Sequence, residues 1–341
     1  MAKLADSDIS VDQGRVYNIG GQTIFYFSFF TYFPNNADYY SKEIAQQLSE
    51  LKKYSLVIAD FSKERMDHDP LYDVLEQLGL NFVMLTHNIT RHQCKPKLFY
   101  YPVLYHWVRY QFRRVYKTSI ETFQKTYKMS CLNRVSRWHR VYNYLLLQSH
   151  KRADDFLLTM HNHGEITDAW ELYTRSCMPH ELMQQWETIK NQLPHDIELN
   201  RTKTRPDWDI VHLAYTDSYI NLVTETDMSD TAFVTEKTWK PIASAQLFLI
   251  VGHKNAVAHL RDMGVDTFDD VINHAHYDYE PDWQIRIQKI HQVLDELLTQ
   301  DLESIYKATQ QRRITNAEKF FNGDFGTKYQ TDLLTCITTL K

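Results

Sequence analysis

Glycine is scarce in this chain, which has nine among 341 residues. Average usage is about 7%. The sequence contains neither a GxGxxG nor a GxxxxGK[ST] segment. These segments let the backbone approach phosphates closely in dinucleotide-binding proteins and P-loop NTPases, so both classes are excluded. If the protein binds phosphates, charged side chains must make most of the contacts.

Long apolar runs and paired cysteines are also missing. No stretch approaches the roughly 18 apolar residues of a membrane helix. The four cysteines form no CxxC pair, which is typical of reduced thiols. The polar N-terminal segment, MAKLADSDISVDQGR, predicts neither a signal nor a transit peptide. We therefore expect a cytoplasmic protein without a membrane span.

Basic residues are concentrated in one part of the chain. Between Arg91 and Arg152 there are fourteen Lys and Arg against a single acid, Glu121, whereas the whole chain has a net charge of −5. A local excess of this size favours a polyanionic partner at the basic segment.

Strand and helix patterns alternate along most of the chain. Residues 54–61 and 81–88 are typical of buried strands, and residues 69–80 between them are typical of a helix. This order predicts parallel strands joined by right-handed crossovers. We expect an α/β fold with two Rossmann-like lobes facing a cleft and C-terminal helices packing across both. The predicted segments are an acceptor-side lobe (1–122), a donor lobe (123–305) and a helical extension (306–341).

The carboxyl ends of parallel strands are where ligands bind in such folds. In this sequence, polar residues follow several of the predicted strands. They are Asp60, His87, Asn88, Asn133 to Arg140, His161 to Glu165, Glu225 and the pair Glu236–Lys237.

The segment CLNRVSRWHR follows one predicted strand and leads into a helix. It contains Asn133, Arg134, Arg137 and Arg140. Guanidinium groups beside a helix N-terminus are well suited to bind phosphate. Alternatively, the segment is a solvated basic loop.

A second helix begins at TEKTWK. Thr235 is a good N-cap, and Glu236 in the first turn is explained by helix stability alone. Lys237 is not explained in this way, because a cation at a helix N-terminus is unfavourable unless an anion is bound there. The pair therefore predicts a carboxylate for ribose hydroxyls and an ammonium for phosphate.

Two HxH segments, at 160–165 and 273–280, each have an acid nearby. Their spacing matches no established zinc pattern, so we predict no metal site. His163 and Glu165 are possible contacts to substrate.

The helix pattern YHWVRYQFRRVY alternates aromatic and basic side chains. Arg109, Arg113, Arg114 and Lys117 would contact the phosphates of a nucleic acid in this interpretation. Alternatively, the helix is amphipathic, with an aromatic buried face and a solvated basic face.

Two stretches together resemble a known enzyme class. These are CLNRVSRWHRVYNYLLL and FVTEKTWKPIASAQLFLIVG with the following HLRDMGVDTF. They resemble the donor domain of α-1,3-fucosyltransferases, which are sugar-nucleotide glycosyltransferases of the two-lobed GT-B kind. They are also similar to bacteriophage DNA glycosyltransferases and related phage proteins with LN-R-x-x-R-x-H-R and TEKT-[FW]-KPI segments. The resemblance covers about residues 125–280, and it would place the protein in the host cytoplasm if a phage encodes it.

The resemblance implies roles for individual residues. Glu236 would bind the donor ribose, Lys237 its phosphates, and Arg137 or Arg140 the leaving diphosphate. The remaining residues of the predicted donor site are Asn133, Arg134, Glu225, Thr235 and Lys240. The donor would be a UDP- or GDP-sugar, and no metal would be required. At Ala245 and Leu247 the sequence departs from the family, in which a Gly and a Pro are usual.

The acceptor side carries no motif. A base must take the proton of the acceptor hydroxyl, and Asp60 and His87 are our catalytic candidates. The leading hypothesis for the acceptor is a hydroxymethylated base of phage DNA, with DNA bound by the basic segment. The alternatives are an enzyme acting on a surface glycan or lipid-linked sugar, and a non-catalytic nucleic-acid-binding protein on a transferase scaffold.

Overall fold

The chain forms two compact α/β units. The computed structural model describes residues 14–19, 21–28, 45–61, 69–86, 88, 95–112, 124–161, 169–195, 213–228 and 233–339. Of these residues, the first unit comprises those up to Leu104, Phe233 and those from Gly326 onward. All the other described residues form the second unit. The segment boundaries after residues 122 and 305 stay a prediction.

The first unit contains a five-stranded sheet in the order β1-β2-β3-β4-β5. Its strands are Arg15–Ile19 (β1), Gln22–Ser28 (β2), Leu56–Phe61 (β3), Phe82–Thr86 (β4) and Leu98–Tyr100 (β5). All neighbouring pairs are parallel except β1 with β2. The helices of this unit are Ala45–Ser49 (α1), Asp69–Gln77 (α2) and Thr327–Thr339 (α13).

The two faces of this sheet are covered by helices far apart in sequence. Val57 and Phe82 point into a core shared with Leu71 and Leu75 of α2. The residues next to them in the strands, Leu56 and Val83, point the other way and form a cluster against which Leu333 and Ile337 of α13 pack. The alternation follows from the twofold periodicity of strands. The expected return of a C-terminal helix onto the first sheet is confirmed.

The second unit contains a four-stranded, fully parallel sheet in the order β7-β6-β8-β9. Its strands are Tyr127–Asn133 (β6), Phe156–Met160 (β7), Ser218–Thr224 (β8) and Leu247–Val251 (β9). Both faces are covered, so β7, β8 and β9 are buried along their whole length. The sheets of the two units confirm the α/β class and the parallel pairing expected from the sequence.

Helices of the second unit follow these strands and cover the sheet. They are Trp138–Gln148 (α4), Ala169–Ser176 (α5), His180–Ile189 (α6), Leu213–Thr216 (α7), Glu236–Ala243 (α8), Ala256–Asp262 (α9), Trp283–Leu298 (α10), Leu302–Ala308 (α11) and Gln310–Asn322 (α12). Helix α3 is Val103–Phe112, and its residues from Tyr105 onward belong to this unit. Tyr105 packs against Trp239 of α8 and Phe320 of α12, with ring centroids 4.9 and 5.3 Å apart.

Two local features differ from the predictions. The segment HLRDMGVDTF predicts a helix, a glycine and then a strand, but the strand after Gly264 is absent, because Phe268 has a φ of +61° and Asp266 accepts a hydrogen bond from its N–H at 2.9 Å. Strand β1 was not anticipated. It pairs antiparallel with β2 across a turn in which Gly21 has a φ of +80°. None of the described helices is long and apolar enough to cross a membrane.

Candidate functional site

Three helices begin just beyond the carboxyl edge of the sheet in the second unit. Helix α4 follows β6, α8 follows β8, and α9 follows β9. In an open parallel sheet this edge is the usual place for a ligand. The first turns of the three helices differ in charge, and this difference locates the candidate site.

Helix α8 begins with the predicted Thr-Glu-Lys turn. Thr235 is the N-cap, and its hydroxyl accepts a hydrogen bond from the N–H of Lys237. The Lys237 ammonium lies 2.6 Å from Oε1 of Glu236 and 3.1 Å from Oγ1 of Thr226. The Lys237 and Glu236 side chains are 29% and 24% exposed, so a ligand in solvent can reach both charges.

The carboxyl group of Glu236 remains ionised far below neutral pH. Burial alone would raise its pKa, but the attraction and hydrogen bond of Lys237 outweigh burial, and Lys240 adds to them. The resulting pKa is about 2. At neutral pH the side chain is therefore only a hydrogen-bond acceptor, as the predicted role toward ribose hydroxyls requires.

The pairing with Glu236 changes one inference drawn from the sequence. Lys237 has a counter-charge within its own turn, so its position at the helix N-terminus does not by itself require a bound anion. The turn presents a partly exposed ammonium to a ligand. This ammonium can exchange its contact with Glu236 for a contact with phosphate.

Helix α4 has a different N-terminus. Glu171 of α5 is fully buried and accepts a hydrogen bond from the N–H of Trp138 at 2.8 Å. Its other oxygen lies 3.3 Å from Nη1 of Arg137. The place where the arginine loop was expected to bind phosphate is therefore occupied by a carboxylate of the protein itself.

Two other predicted residues of this loop are buried and hydrogen-bonded within the unit. Arg140 donates to the carbonyl oxygen of Glu225 through Nε (3.2 Å) and Nη2 (2.9 Å), and burial lowers its pKa to about 10. The side chain of Asn133 accepts from the hydroxyl of Thr224 at 2.5 Å. Both side chains brace strand ends, whereas Arg134 is exposed on the same loop.

The remaining predicted donor residues belong to β8 and α8. Glu225 directly follows β8 and is fully buried, with its carboxylate turned toward Thr235 and Thr238. Lys240 lies one turn after Glu236 and is 7% exposed. The structure thus brings Glu225, Thr235, Glu236, Lys237 and Lys240 together around the first turn of α8.

Helix α9 repeats the arrangement of α4. The carboxylate of Asp278 accepts hydrogen bonds from the N–H groups of Val257 (2.9 Å) and Ala258 (2.8 Å). Desolvation raises the pKa of this buried acid, and the two N–H groups oppose the rise. All three helices thus start beside a buried acid from another segment, namely Glu171, Glu225 and Asp278, but of the three only α8 carries a lysine, Lys237, in its first turn.

The acceptor-side candidates are only partly within the described residues. Asp60 is the penultimate residue of β3, is 2% exposed and accepts a hydrogen bond of 2.5 Å from the hydroxyl of Tyr26. Arg109 donates to the carbonyl oxygens of Phe321 and Asn322 at 2.8 Å, where it caps the end of α12. The other candidates, His87, Arg113, Arg114 and Lys117, lie outside the described residues.

Sequence reasoning missed several residues of this region. Glu171 and Asp278 act on helices far from them in the chain, and Thr226 and Thr238 are ordinary threonines in sequence. His253 follows β9 and is 1% exposed; its Nδ1 donates to the carbonyl oxygen of Lys254 at 2.7 Å. Burial lowers its pKa to about 4, and among the described residues its Nε2 has no hydrogen-bond partner. Its place directly after a buried strand was the available signal.

The described residues contain no cluster of three or more His, Cys, Asp or Glu side chains able to hold a metal ion. Of the two HxH segments, the second lies within them. Nε2 of His274 donates to the carbonyl oxygen of Thr267 (2.9 Å), and Nδ1 accepts from the hydroxyl of Tyr277 (2.6 Å). His163 and Glu165 of the first lie outside the described residues.

Several solved structures are similar to this chain at low identity. The α,α-trehalose-6-phosphate synthase of Burkholderia multivorans shares 11% identity with a TM-score of 0.39, with 92% of this chain and 65% of that chain covered. For a UDP-forming α,α-trehalose-phosphate synthase of Burkholderia vietnamiensis the values are 12%, 0.38, 91% and 67%. For OtsA without ligand they are 12%, 0.44, 91% and 67%.

The chain spans about two thirds of the length of these proteins. No protein-family model and no curated protein matches it. None of the three structures is a fucosyltransferase or a phage protein, so the resemblance based on the two motifs stays a prediction. Similarity at this level assigns no activity, which has to be inferred from the site itself.

Proposed function

We propose that the protein is a glycosyltransferase that binds a nucleotide-diphosphate sugar at the first turn of α8 and transfers the sugar to an acceptor hydroxyl. The observation that carries this proposal is the partly exposed Glu236–Lys237 pair at the carboxyl edge of a parallel sheet. A carboxylate beside an ammonium matches a ligand that presents hydroxyl donors beside a phosphate, as a nucleoside diphosphate does.

Binding would rearrange the contacts of one side chain. Lys237 would leave Glu236 for the diphosphate, and Glu236 would accept hydrogen bonds from the ribose hydroxyls. Because Thr226 lies 3.1 Å from the ammonium, its hydroxyl can hold Lys237 during the exchange. An ammonium at the diphosphate also stabilises the negative charge that develops on the diphosphate as its bond to the sugar breaks. Arg134, which is exposed on the loop between β6 and α4, is the further cation that we propose for this role, in a site that uses no metal.

The acceptor is proposed from the basic segment. A hydroxymethylated base of DNA would have to be flipped out of the duplex to reach a donor site. Because Arg109 caps α12, the phosphate contacts would depend chiefly on Arg113, Arg114 and Lys117. Binding to a hydroxymethylated duplex should weaken steeply between low and physiological salt, and an affinity that does not respond to salt would contradict a DNA acceptor. Asp60, held by Tyr26, and His87 remain the proposed bases.

A thermal-shift panel with UDP, GDP and their sugars tests the proposal. A ligand at 100 times its dissociation constant stabilises a protein by about 2.7 kcal/mol, which is a readily measured shift. We expect at least one nucleotide to raise the melting temperature. When an acceptor is supplied with the matching nucleotide sugar, we expect the nucleoside diphosphate, UDP or GDP, to be released. Failure of every nucleotide to stabilise the protein would contradict the transferase assignment.

A further inference from the structure

Glu225 is a buried acid at the end of β8. Its side chain is fully excluded from solvent. A buried carboxylate is costly unless hydrogen bonds satisfy it, so the partners of this group show what it holds in place.

The carboxylate of Glu225 holds the start of α8. Its Oε1 accepts from the N–H of Thr235 at 3.0 Å and from the hydroxyl of Thr238 at 2.5 Å. Its Oε2 accepts from the hydroxyl of Thr235 and, at 3.3 Å, from the N–H of Thr226. Both oxygens are therefore engaged by the turn that carries Glu236 and Lys237.

The carbonyl group of Glu225 holds α4 as well. It accepts from Nε2 of His139 at 3.0 Å and from two guanidinium nitrogens of Arg140. Gly252 follows β9 and lies close to the side chain of Glu225. A Cβ at this position would be 3.3 Å from Cγ of Glu225, which is closer than an ordinary contact between two carbon atoms. One residue thus ties α4, α8 and the end of β9 together.

Two of the three threonines held by Glu225 also contact the ammonium of Lys237. Nζ lies 3.1 Å from Oγ1 of Thr226 and 3.4 Å from Oγ1 of Thr235. The carboxylate of Glu225 fixes the N–H of each of these residues. Each threonine therefore links the buried acid to the exposed cation.

We infer that Glu225 is a positioning residue for the donor: it does not touch the nucleotide, but sets the place of Lys237 through Thr226 and Thr235. This inference rests on the proposed function of the α8 turn. It departs from the prediction that Glu225 binds the donor directly, because both of its oxygens are already used within the protein.

The experiment compares Glu225→Gln with Asp278→Asn. Each change neutralises a buried acid that binds the N-terminal turn of a helix, but α9 carries no proposed donor residue. Titration calorimetry with UDP and GDP measures the affinity, and thermal unfolding measures the stability. We expect both variants to lower the melting temperature, and only Glu225→Gln to weaken nucleotide binding, by about tenfold.

A milder variant keeps the test informative if Glu225→Gln does not fold. Thr238→Val removes one hydrogen bond to Glu225 and should weaken nucleotide binding about threefold. Unchanged affinity in the folded variants, or an equal loss in Asp278→Asn, would overturn the positioning role while leaving the proposed function standing. If the unmodified protein binds neither UDP nor GDP, the proposed function fails first, and the role of Glu225 toward a donor fails with it.

Discussion

Helices α4 and α8 both begin beyond the carboxyl edge of the same sheet, and each carries basic residues at or near its start. At α4, the buried Glu171 from another helix takes the first N–H and lies beside Arg137. At α8, the buried Glu225 takes the N–H of Thr235 in a similar way, but Lys237 is paired with Glu236 of its own turn, and this pair is partly exposed. Counting the cations at a helix start therefore does not predict anion binding. The source of their counter-charges and the exposure of the cations to solvent are better indicators.

Removing the ammonium of Lys237 should have the largest effect. A hydrogen bond to a charged group contributes about 1.5–3 kcal/mol, so Lys237→Ala should weaken binding of UDP or GDP by roughly 10- to 100-fold. Titration calorimetry measures the change. Lys254→Ala, at an exposed lysine beyond β9, is the control and should bind normally. Equal nucleotide affinities of Lys237→Ala and Lys254→Ala would show that the ammonium of Lys237 does not bind the diphosphate.

Removing the acid at α4 should reduce stability without reducing nucleotide affinity. Glu171→Ala leaves the buried N–H of Trp138 unsatisfied, and we expect a loss of about 2 kcal/mol in the free energy of unfolding. Denaturant titration measures it, with the exposed first-turn acid of α6, changed by Glu181→Ala, as the control. A loss of nucleotide binding as large as that of Lys237→Ala would mean that α4 is the anion site after all.

The Glu236–Lys237 pair should make stability depend on pH in acid. The pKa of Glu236 is lowered from 4.5 to about 2, so the contribution of its charge is fully present above 4.5 and declines as the pH falls toward about 2. Urea unfolding of the unmodified protein and of Glu236→Gln, at several values from neutral pH down to pH about 3, measures this. The difference between them should shrink on acidification, and a difference that grows would show that folding raises the pKa of Glu236 instead of lowering it.

Ala245 should give the smallest effect, and a stabilising one. It has a φ of +53° and ends the helix whose first turn is the proposed site. Glycine adopts this backbone region without the cost of about 1 kcal/mol that a Cβ incurs. Ala245→Gly should therefore raise the free energy of unfolding by up to about 1 kcal/mol, with unchanged nucleotide affinity. A decrease in stability would show that the methyl group contributes more by packing than it costs in the backbone.

Most strands and helices of the fold could be predicted from the sequence, because local residue patterns determine them. Continuous apolar runs such as those of β8 and β9 predict buried parallel strands, and Pro70 marks the first turn of α2. The hairpin partner β1 was missed because Val16 and Tyr17 are exposed, so the strand shows no buried pattern.

The candidate site was predictable only where its contacts are local. Thr235, Glu236 and Lys237 are adjacent in sequence, and their charges and capping pattern identify a helix start. Glu171 could not be connected with Trp138, because nothing in the intervening residues indicates that their helices meet. For the same reason Arg140 was assigned to a phosphate, although its donors bind the carbonyl oxygen of Glu225.

A crystal structure of the protein with UDP or GDP would show directly whether the first turn of α8 binds the nucleotide. We expect a diphosphate oxygen about 3 Å from Nζ of Lys237, the ribose hydroxyls on Glu236, and Glu225 still bound to Thr238. A diphosphate at the N-terminus of α4, with Glu171 displaced, would contradict this expectation.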